Sequence, residues 1–440
     1  MDDTQYDVLI IGGGISGTAL LYQLAQFTDL SRIGLIEKNG LLADVNSHGR
    51  NNSQTLHCGD IETNYTLEKA IQVKQTASMV LNYAEKQTNS EKLIYKYSKM
   101  VLGVGKHECD SLRDRFKLFK PHFSNMQVLE KSDIAELEPT VVDGRNEEIA
   151  ALGMLDEYTA VDYGALAGSF VEQAKTVTDK TVEVHLSTQV KDIIKSESGY
   201  RLTTSKGELQ AKFVVVSAGG HSLLFAHRMG HCLQYSCLPM AGSFYYTPTM
   251  LNGKVYTVQN EKLPFAAIHG DPDVLVPGKT RFGPTALVLP MLERYNFKTI
   301  FDFLKVVKFD NNVAKVMWDL MKVSDIRNYI FKNFLFEIPV MRTHLFLKDA
   351  RKIIPNMQIK DLSFANKIGG IRPVMIDKVK RVLHLGEAKI NTGDGIIFNM
   401  TPSPGATSCL GNAEGDLKII VDHLNCQFKE KEFNEVLRNA

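Results

Sequence analysis

Charge of one sign is what this sequence most plainly lacks. Lys and Arg number 51 against 50 Asp and Glu in 440 residues, a formal net charge of +1. That balance removes the basic face with which a nucleic-acid binder neutralises phosphates. Paired cysteines are missing too. Cys58, Cys109, Cys232, Cys237, Cys409 and Cys426 are scattered with no C-x-x-C spacing, which argues against zinc and a disulfide framework and fits a reducing compartment. Nothing suggests another metal or a Ser-His-Asp triad. No apolar run approaches the ~18 residues of a spanning helix. Met1-Asp2-Asp3 leads into a short apolar strand without the basic n-region of a signal peptide. The expectation is a cytoplasmic protein, with contact to a membrane surface left open. The rest, 44% apolar and 23% charged, is ordinary globular composition. At this length one core is too small, so two domains are expected.

Asp7-Val8-Leu9-Ile10-Ile11 is a continuous apolar run, the pattern of a parallel strand buried on both faces. It enters Gly12-Gly13-Gly14-Ile15-Ser16-Gly17 and then a helix-forming stretch from Thr18 to Leu24. Gly12 permits a tight turn, Gly14 lets backbone approach a pyrophosphate, and Gly17 lets helix and strand pack closely. A pyrophosphate would sit on the helix N-terminus with Ile15 and Ser16, where N–H groups and the macrodipole favour an anion. A second strand, Ile33 to Ile36, ends at Glu37, followed by Lys38. That is the place for the carboxylate that receives the ribose hydroxyls. The alternative, a Gly-rich turn with no ligand, is the poorer account of strand, glycines, helix, strand and acid in register.

The remainder chooses between FAD and NAD. Phe213 to Val216 is another buried strand, ending in Ser217-Ala218-Gly219-Gly220; it resembles the strand after the meander in two-dinucleotide flavoproteins, where small residues pass close to FAD. Gly395 to Ser408 reads as a strand, a Pro-Gly turn and a helix starting near Ala406. Pro404, Gly405, Ala406 and Thr407 would aim N–H groups at the negative edge of a reduced flavin. A helix capped by Ser403 or Thr407 explains the same residues. No second G-x-G-x-x-G exists: Gly103-Val104-Gly105 lacks the third glycine and Ile368-Gly369-Gly370 lacks a following helix. Electrons are therefore not expected from a nicotinamide.

Several segments carry a family resemblance. Gly49-Arg50-Asn51-Asn52-Ser53-Gln54-Thr55-Leu56-His57 resembles the loop after the second strand in the D-amino-acid-oxidase-like superfamily, and Ala135 to Pro139 matches a short segment of the same group. Ile268-His269-Gly270-Asp271-Pro272, with Thr280 to Ala286, resembles the substrate-domain strands of its 2-hydroxy-acid branch. With Ala241 to Tyr245, Gly370-Ile371-Arg372-Pro373 and Asn399 to Ser408, the chain resembles malate:quinone oxidoreductase from residue 6 to about 425, with L-2-hydroxyglutarate dehydrogenase as the nearest alternative relative. The resemblance implies FAD-dependent oxidation of (S)-malate to oxaloacetate, with quinone as acceptor and a peripheral place on the inner face of the cell membrane. Its rivals are an FAD-dependent dehydrogenase or oxidase of another 2-hydroxy acid (lactate, L-2-hydroxyglutarate) or of a secondary amine and, from another class, a flavin-bound assembly or regulatory protein without turnover. Oligomeric state and quinone type are not legible.

The expected class is α/β, α+β overall: a Rossmann-type FAD-binding domain interleaved with a substrate domain on a mixed or antiparallel sheet plus helices. Residues 1–90, 150–225 and 370–440 are assigned to the first, 91–149 and 226–369 to the second. Residues 93–105 and 240–290 read as strands, and 65–89, 110–138 and most of 293–335 as helices. Within 294–332, Phe297, Ile300, Phe301, Leu304 and Val307, then Val313, Val316, Met317, Trp318, Leu320 and Met321, recur at helical spacing. Lys298, Lys305, Lys308, Lys315, Lys322, Arg327 and Lys332 stand between them. Periodicity alone favours a helical layer on the substrate domain with solvated lysines. A basic amphipathic helix also suits an anionic membrane surface, and the resemblance turns the expectation that way.

Oxidising a 2-hydroxy acid needs a cation for the carboxylate, a base for the hydroxyl proton and an acceptor near the α-hydrogen. Arg372 is the expected clamp, since its planar fork matches a carboxylate, and Gly369-Gly370 before it would admit a ligand closely. His269 is the expected base on the strength of the resemblance and an imidazole's titration range. His57 and Gln54 are second candidates for flavin or substrate contact, with Asn52 and Ser53 beside the flavin. Arg281 is the candidate for a second carboxylate. Cys58 and Cys409 read as small buried residues.

Overall fold

The computed structural model describes residues 5–259, 267–308, 310–322, 324–336, 338–339, 341–384, 388–401 and 404–438. The apolar run after Tyr6 becomes the strand Tyr6–Ile11, central in an eight-stranded sheet. Strand order across its main path is Ala388–Asn391, Ile396–Met400, Gly207–Val216, Tyr6–Ile11, Arg32–Ile36 and Thr181–His185. The last five run parallel, which forces crossovers and leaves both faces covered. The helices Ile15–Phe27, Tyr163–Lys175 and Cys409–Leu424 cover one face through Leu20, Leu24, Leu166, Phe170, Leu410 and Leu417. On the other lie the antiparallel strands Val190–Ser196 and Gly199–Thr204 and the helix His221–Arg228, packed through Tyr200, Leu202, Leu223 and Leu224. Gly207–Val216 joins the two systems. Its first half pairs antiparallel with Gly199–Thr204, and from Ala211 onward it runs parallel to Tyr6–Ile11.

A second eight-stranded sheet, mixed in sense, runs Ser363–Phe364, Tyr245–Pro248, Lys279–Gly283, His269–Pro272, Lys254–Thr257, Lys99–Val104, Ile149–Met154, Gln127–Leu129. A four-stranded antiparallel sheet holds Leu287–Val288, Tyr235–Ala241, Ile371–Asp377 and Val382–His384. Ile149–Met154 and Ile371–Asp377 thus pair within these two sheets and not with the parallel sheet, just across the boundaries drawn from the sequence. The expected helix over 110–138 is interrupted: Lys106–Phe119 ends ahead of Pro121, and Gln127–Leu129 adds an edge strand before Lys131–Leu137. Lys120 is still helical, but Pro121 has no N–H to continue the ladder, which accounts for the break.

The segment 294–332 forms Thr299–Val307, Asn311–Lys322 and the start of Ser324–Leu335. Its apolar residues divide between two faces. Val306, Val313 and Val316 are buried against the four-stranded sheet and its neighbours, whereas Phe297 (72% exposed), Phe301, Leu304 and Trp318 face outward. Val323 and the side chain of Leu320 lie outside the described residues. Among the described residues no helix is long and apolar enough to cross a membrane.

Candidate active site

The glycine turn delivers what its spacing implies. The N–H of Gly12 donates to Ile36 O at 2.8 Å, docking the turn on the second strand. Gly12 has φ +115°, and a Cβ there would lie 2.3 Å from Ser217 O. A Cβ on Gly17 would lie 2.0 Å from Gly12 O, so helix and turn touch backbone to backbone. The helix starts at Ile15 with no side-chain cap from Gly14, and Ile15 N–H donates to Ser47 Oγ at 2.9 Å. Glu37 stands at the end of its strand, where its carboxylate accepts from Gly13 N–H and Asn39 N–H, both at 2.8 Å.

These residues open on a cavity of about 640 Å³, within the usual range for a ligand pocket. Gly12, Gly14, Ile15, Ser16, Glu37, Lys38, Asn52, Ser53, His57, Ala218, Gly219, Arg372 and Pro404 to Thr407 all stand on its wall. Gly17 acts through packing, behind the turn. Lys38 pairs with Glu293, also on the wall. Asn52 shapes its loop, donating from Nδ2 to the carbonyls of Asn46, Ser47 and His48. Asn46, Ser47, Tyr163 and Thr188 to Val190 stand on the same wall without any signal in the sequence, since residues in loops and at element ends follow no spacing rule.

Five expectations meet a different geometry. The C-terminal helix begins at Cys409, not near Ala406; turns occupy 404–408. Thr407 does not cap it, because its hydroxyl meets Tyr163 Oη at 2.8 Å and accepts His57 N–H at 3.1 Å; Ser403 lies outside the described residues. Gly369 and Gly370 make room for protein: a Cβ would lie 2.0 Å from Gly242 O and 2.6 Å from Asn51 O respectively. Gln54 is fully buried with its amide spent on Gly49 O, Asp273 and Val274 N–H, tying the loop to the roof. Arg281, 0% exposed, points at Gly49 O, Asp273 and Asp271 and lies over the Phe244 ring. Neither Gln54 nor Arg281 stands on the wall of this cavity.

A recess of about 60 Å³ adjoins the main cavity, sharing Ser53, His57 and Arg372 with it and adding Glu62, Tyr256 and His269. Here the sequence candidates His57, His269 and Arg372 meet. His269 is 2% exposed and stacks on Tyr256 with centroids 4.5 Å apart. Its Nδ1 faces Asp271 Oδ1. Burial holds the imidazole below its ordinary titration range, against the pull of Asp271, so the neutral form prevails in the fold. Burial alone would raise Asp271, but Lys254, His269 and Arg281 bring it down to about 2. Lys254, also fully buried, is pushed down to about 8 by burial. Its Nζ lies 3.7 Å from Asp271 Oδ2 and 3.3 Å from Thr55 Oγ1. Asp271 therefore fixes one ring tautomer, with hydrogen on Nδ1 and an acceptor at Nε2. Asp271, Lys254 and Glu62 were not singled out in the sequence; only the i,i+2 spacing of His269 and Asp271 on one strand face hinted at the pair.

A family model for malate:quinone oxidoreductase matches residues 4–439. A probable malate:quinone oxidoreductase of Campylobacter jejuni is 48% identical, over 99% of this chain and all of that protein. The malate:quinone oxidoreductase of Helicobacter pylori is 44% identical over 98% and 97%. Among solved structures, glycine oxidase from Geobacillus kaustophilus matches with a TM-score of 0.66 at 16% identity, over 95% of each chain. L-alpha-glycerophosphate oxidase from Mycoplasma pneumoniae, with FAD bound, matches at 0.64 and 20%, over 94% of each. At such identities these two speak to the fold.

Proposed function

The chain belongs to the malate:quinone oxidoreductase family, an enzyme oxidising malate with quinone as electron acceptor, and from that premise we propose how its own residues divide the work. FAD is the cofactor that fits the main cavity. A glycine turn meeting the N-terminus of a helix on the cavity wall suits a pyrophosphate, and the acid at Glu37 suits an adenosine ribose. An FMN would need neither. When bound, the flavin supplies a two-electron acceptor for the hydrogen on the carbinol carbon. The nucleotide is held by residues 1–90, 150–225 and 370–440, and the substrate by 91–149 and 226–369, with Ile149–Met154 and Ile371–Asp377 working on the substrate side.

The observation that carries the substrate site is the recess where His269 and Arg372 meet. Arg372 binds the carboxylate next to the carbinol carbon of (S)-malate. His269 Nε2 accepts the hydroxyl proton as the carbon–oxygen double bond of oxaloacetate forms. Asp271, on Nδ1, keeps the ring in the accepting tautomer and stabilises the imidazolium once the proton has moved. Stacking on Tyr256 limits rotation of the ring.

The outward apolar residues Phe297, Phe301, Leu304 and Trp318, with exposed Lys305, Lys308, Lys315 and Lys322, form the surface that rests on an anionic leaflet, with the enzyme peripheral on the inner face of the cell membrane. Asn296, Lys298 and Thr299, at the base of this layer, stand on the cavity wall, so a quinone leaving the bilayer there meets the cavity rim. One experiment tests the chemistry. Purified protein should be yellow, release FAD by mass spectrometry, and bleach anaerobically with malate but not with lactate, 2-hydroxyglutarate or amino acids. Release of FMN, or bleaching by another acid in preference, overturns the reading.

A further inference from the structure

Malate carries two carboxylates, and Arg372 serves one. With Arg281 sealed beneath the roof, the second needs another partner. His57 stands on the wall of both the main cavity and the recess. Its Nδ1 meets Glu62 Oε1 at 2.6 Å, which leaves Nε2 as the ring's remaining polar atom. We propose that His57, backed by Glu62, binds the distal carboxylate of malate and so selects a dicarboxylic 2-hydroxy acid over a monocarboxylic one. The proposal rests on malate being taken in this cavity.

The pair is held from several sides. His57 N–H donates to Thr407 Oγ1, anchoring the residue to the C-terminal turn. Arg115 donates to the carbonyls of Glu62 (2.8 Å), Thr63 (3.4 Å) and Tyr65 (3.1 Å), gripping the turn that carries the glutamate. Asp60, two residues earlier, is fixed by a wholly buried ion pair with Lys99 at 2.9 Å. Burial would raise the Glu62 carboxyl, but the His57 hydrogen bond and the Lys99 charge hold it below the usual range, so it stays ionised. A carboxylate on Nδ1 fixes hydrogen there. A second carboxylate at Nε2 is bound through hydrogen on that nitrogen as well, so that the ring bridges two anions with a charge-assisted bond to each. His269 is the contrasting case: its side chain is 3% exposed against 17% for His57, and burial keeps that ring neutral. Two histidines thus divide between binding and proton transfer according to how deeply each ring is buried.

The test uses the flavin-loaded enzyme and two probes of equal length, succinate and butyrate, with dissociation constants read from perturbation of the flavin absorption. His57→Ala should weaken succinate about 10–100-fold, the range of one charge-assisted hydrogen bond, and leave butyrate within about threefold. With malate it should raise KM and largely spare kcat. Because alanine leaves Glu62 buried without its partner, His57→Gln is made in parallel. Its amide still donates to the glutamate, yet it cannot carry charge, and it should show the same loss of selectivity. Arg372→Lys should weaken both probes. If Arg372→Lys weakens both while His57→Gln weakens neither, or both equally, the assignment of His57 falls and the malate site stands. A collapse of kcat in the His57 variants at unchanged KM would make His57 the base and equally overturn the proposal. If no variant alters either probe, the cavity reading itself is wrong.

Discussion

The glycine-turn end of the main cavity and the recess beside it are built from different materials. The first is mostly main chain: a glycine turn, a helix start and a strand end, with one carboxylate, contributed largely by residues 6 to 39. The second is side chains on separate elements, with His57, His269 and Arg372 brought together from positions as far apart as 57 and 372 and supported by buried Glu62, Asp271 and Lys254. A site made of backbone tolerates many side chains but no change in backbone path. A site made of side chains tolerates a shift of backbone better than the loss of one charge behind a ring.

The sharpest way to break this comparison is at the turn. Gly17→Ala puts a methyl 2.0 Å from Gly12 O and 3.2 Å from Ile10 Cγ2. No side chain can yield there, so the helix must leave the strand. The expected product is colourless, with flavin absorbance lost and the melting temperature lowered. A yellow Gly17→Ala protein of normal stability would show that the turn is not the cofactor's cradle.

The second test is at the recess. Asp271→Asn offers Nδ1 an amide donor as readily as an acceptor, which favours the tautomer with hydrogen on Nε2 and removes the base. The turnover number with malate should fall about 10²–10⁴-fold, with FAD content normal. The wild-type pH profile bears on the same pair. Lowering the pH protonates Nε2 and abolishes its function. Burial holds that ring below its ordinary range, so the acid limb of kcat/KM should have its midpoint below ~6.5. A midpoint above that value, or full activity in Asp271→Asn, would remove the pair from the chemistry.

The same contrast explains what was legible beforehand. The strand, turn, helix and Glu37 could be read because a consecutive backbone path fixes residue types at fixed spacings. Arg372, His269 and His57 were found from chemistry and resemblance. Arg281 shows why that route errs: an arginine among motif residues looks like a ligand until its neighbours are known, and only the fold reveals Asp271 and Asp273 beside it. Gln54 errs the same way. Glu62 and Lys254 matter through contacts that no sequence spacing records. In the 294–332 helices periodicity identified amphipathic segments, but it could not separate the inward valines from the outward aromatics.

A smaller effect is expected at Glu37, the side chain proposed to hold the adenosine end of the cofactor. Glu37→Gln keeps one acceptor for Gly13 or Asn39 but not both, and loses the charge offered to the ribose. A charge-assisted hydrogen bond contributes about 1.5–3 kcal/mol, so FAD retention through dialysis should drop while turnover per bound FAD stays near wild type. Normal retention with lost turnover would move Glu37 to the reacting end of the cavity.

The smallest effect on malate oxidation itself is expected from the outward lysines of the 294–332 helices, which lie off the cavity wall. Lys305, Lys308, Lys315 and Lys322 are exposed. Lys305 and Lys322 have only exposed or half-exposed aspartates one turn away, Asp302 and Asp319, partners that contribute little in water. Their positive charge is therefore available to an anionic leaflet, at about 1 kcal/mol per residue and fading within a Debye length. Binding to anionic liposomes should accordingly weaken as salt is raised. The outward Phe297, Phe301 and Trp318 add apolar area that salt does not screen, so a residue of binding should persist. Reversing all four lysines to glutamate leaves that area in place but turns attraction into repulsion, and vesicle binding at low salt should vanish. Turnover with a water-soluble dye should stay unchanged, because none of the four stands on the cavity wall. Turnover with a vesicle-borne quinone should fall with vesicle binding. Loss of dye-linked turnover would mean that the helices support the active site and not a membrane surface, and wild-type protein indifferent to anionic vesicles would leave the exposed aromatics to some other partner.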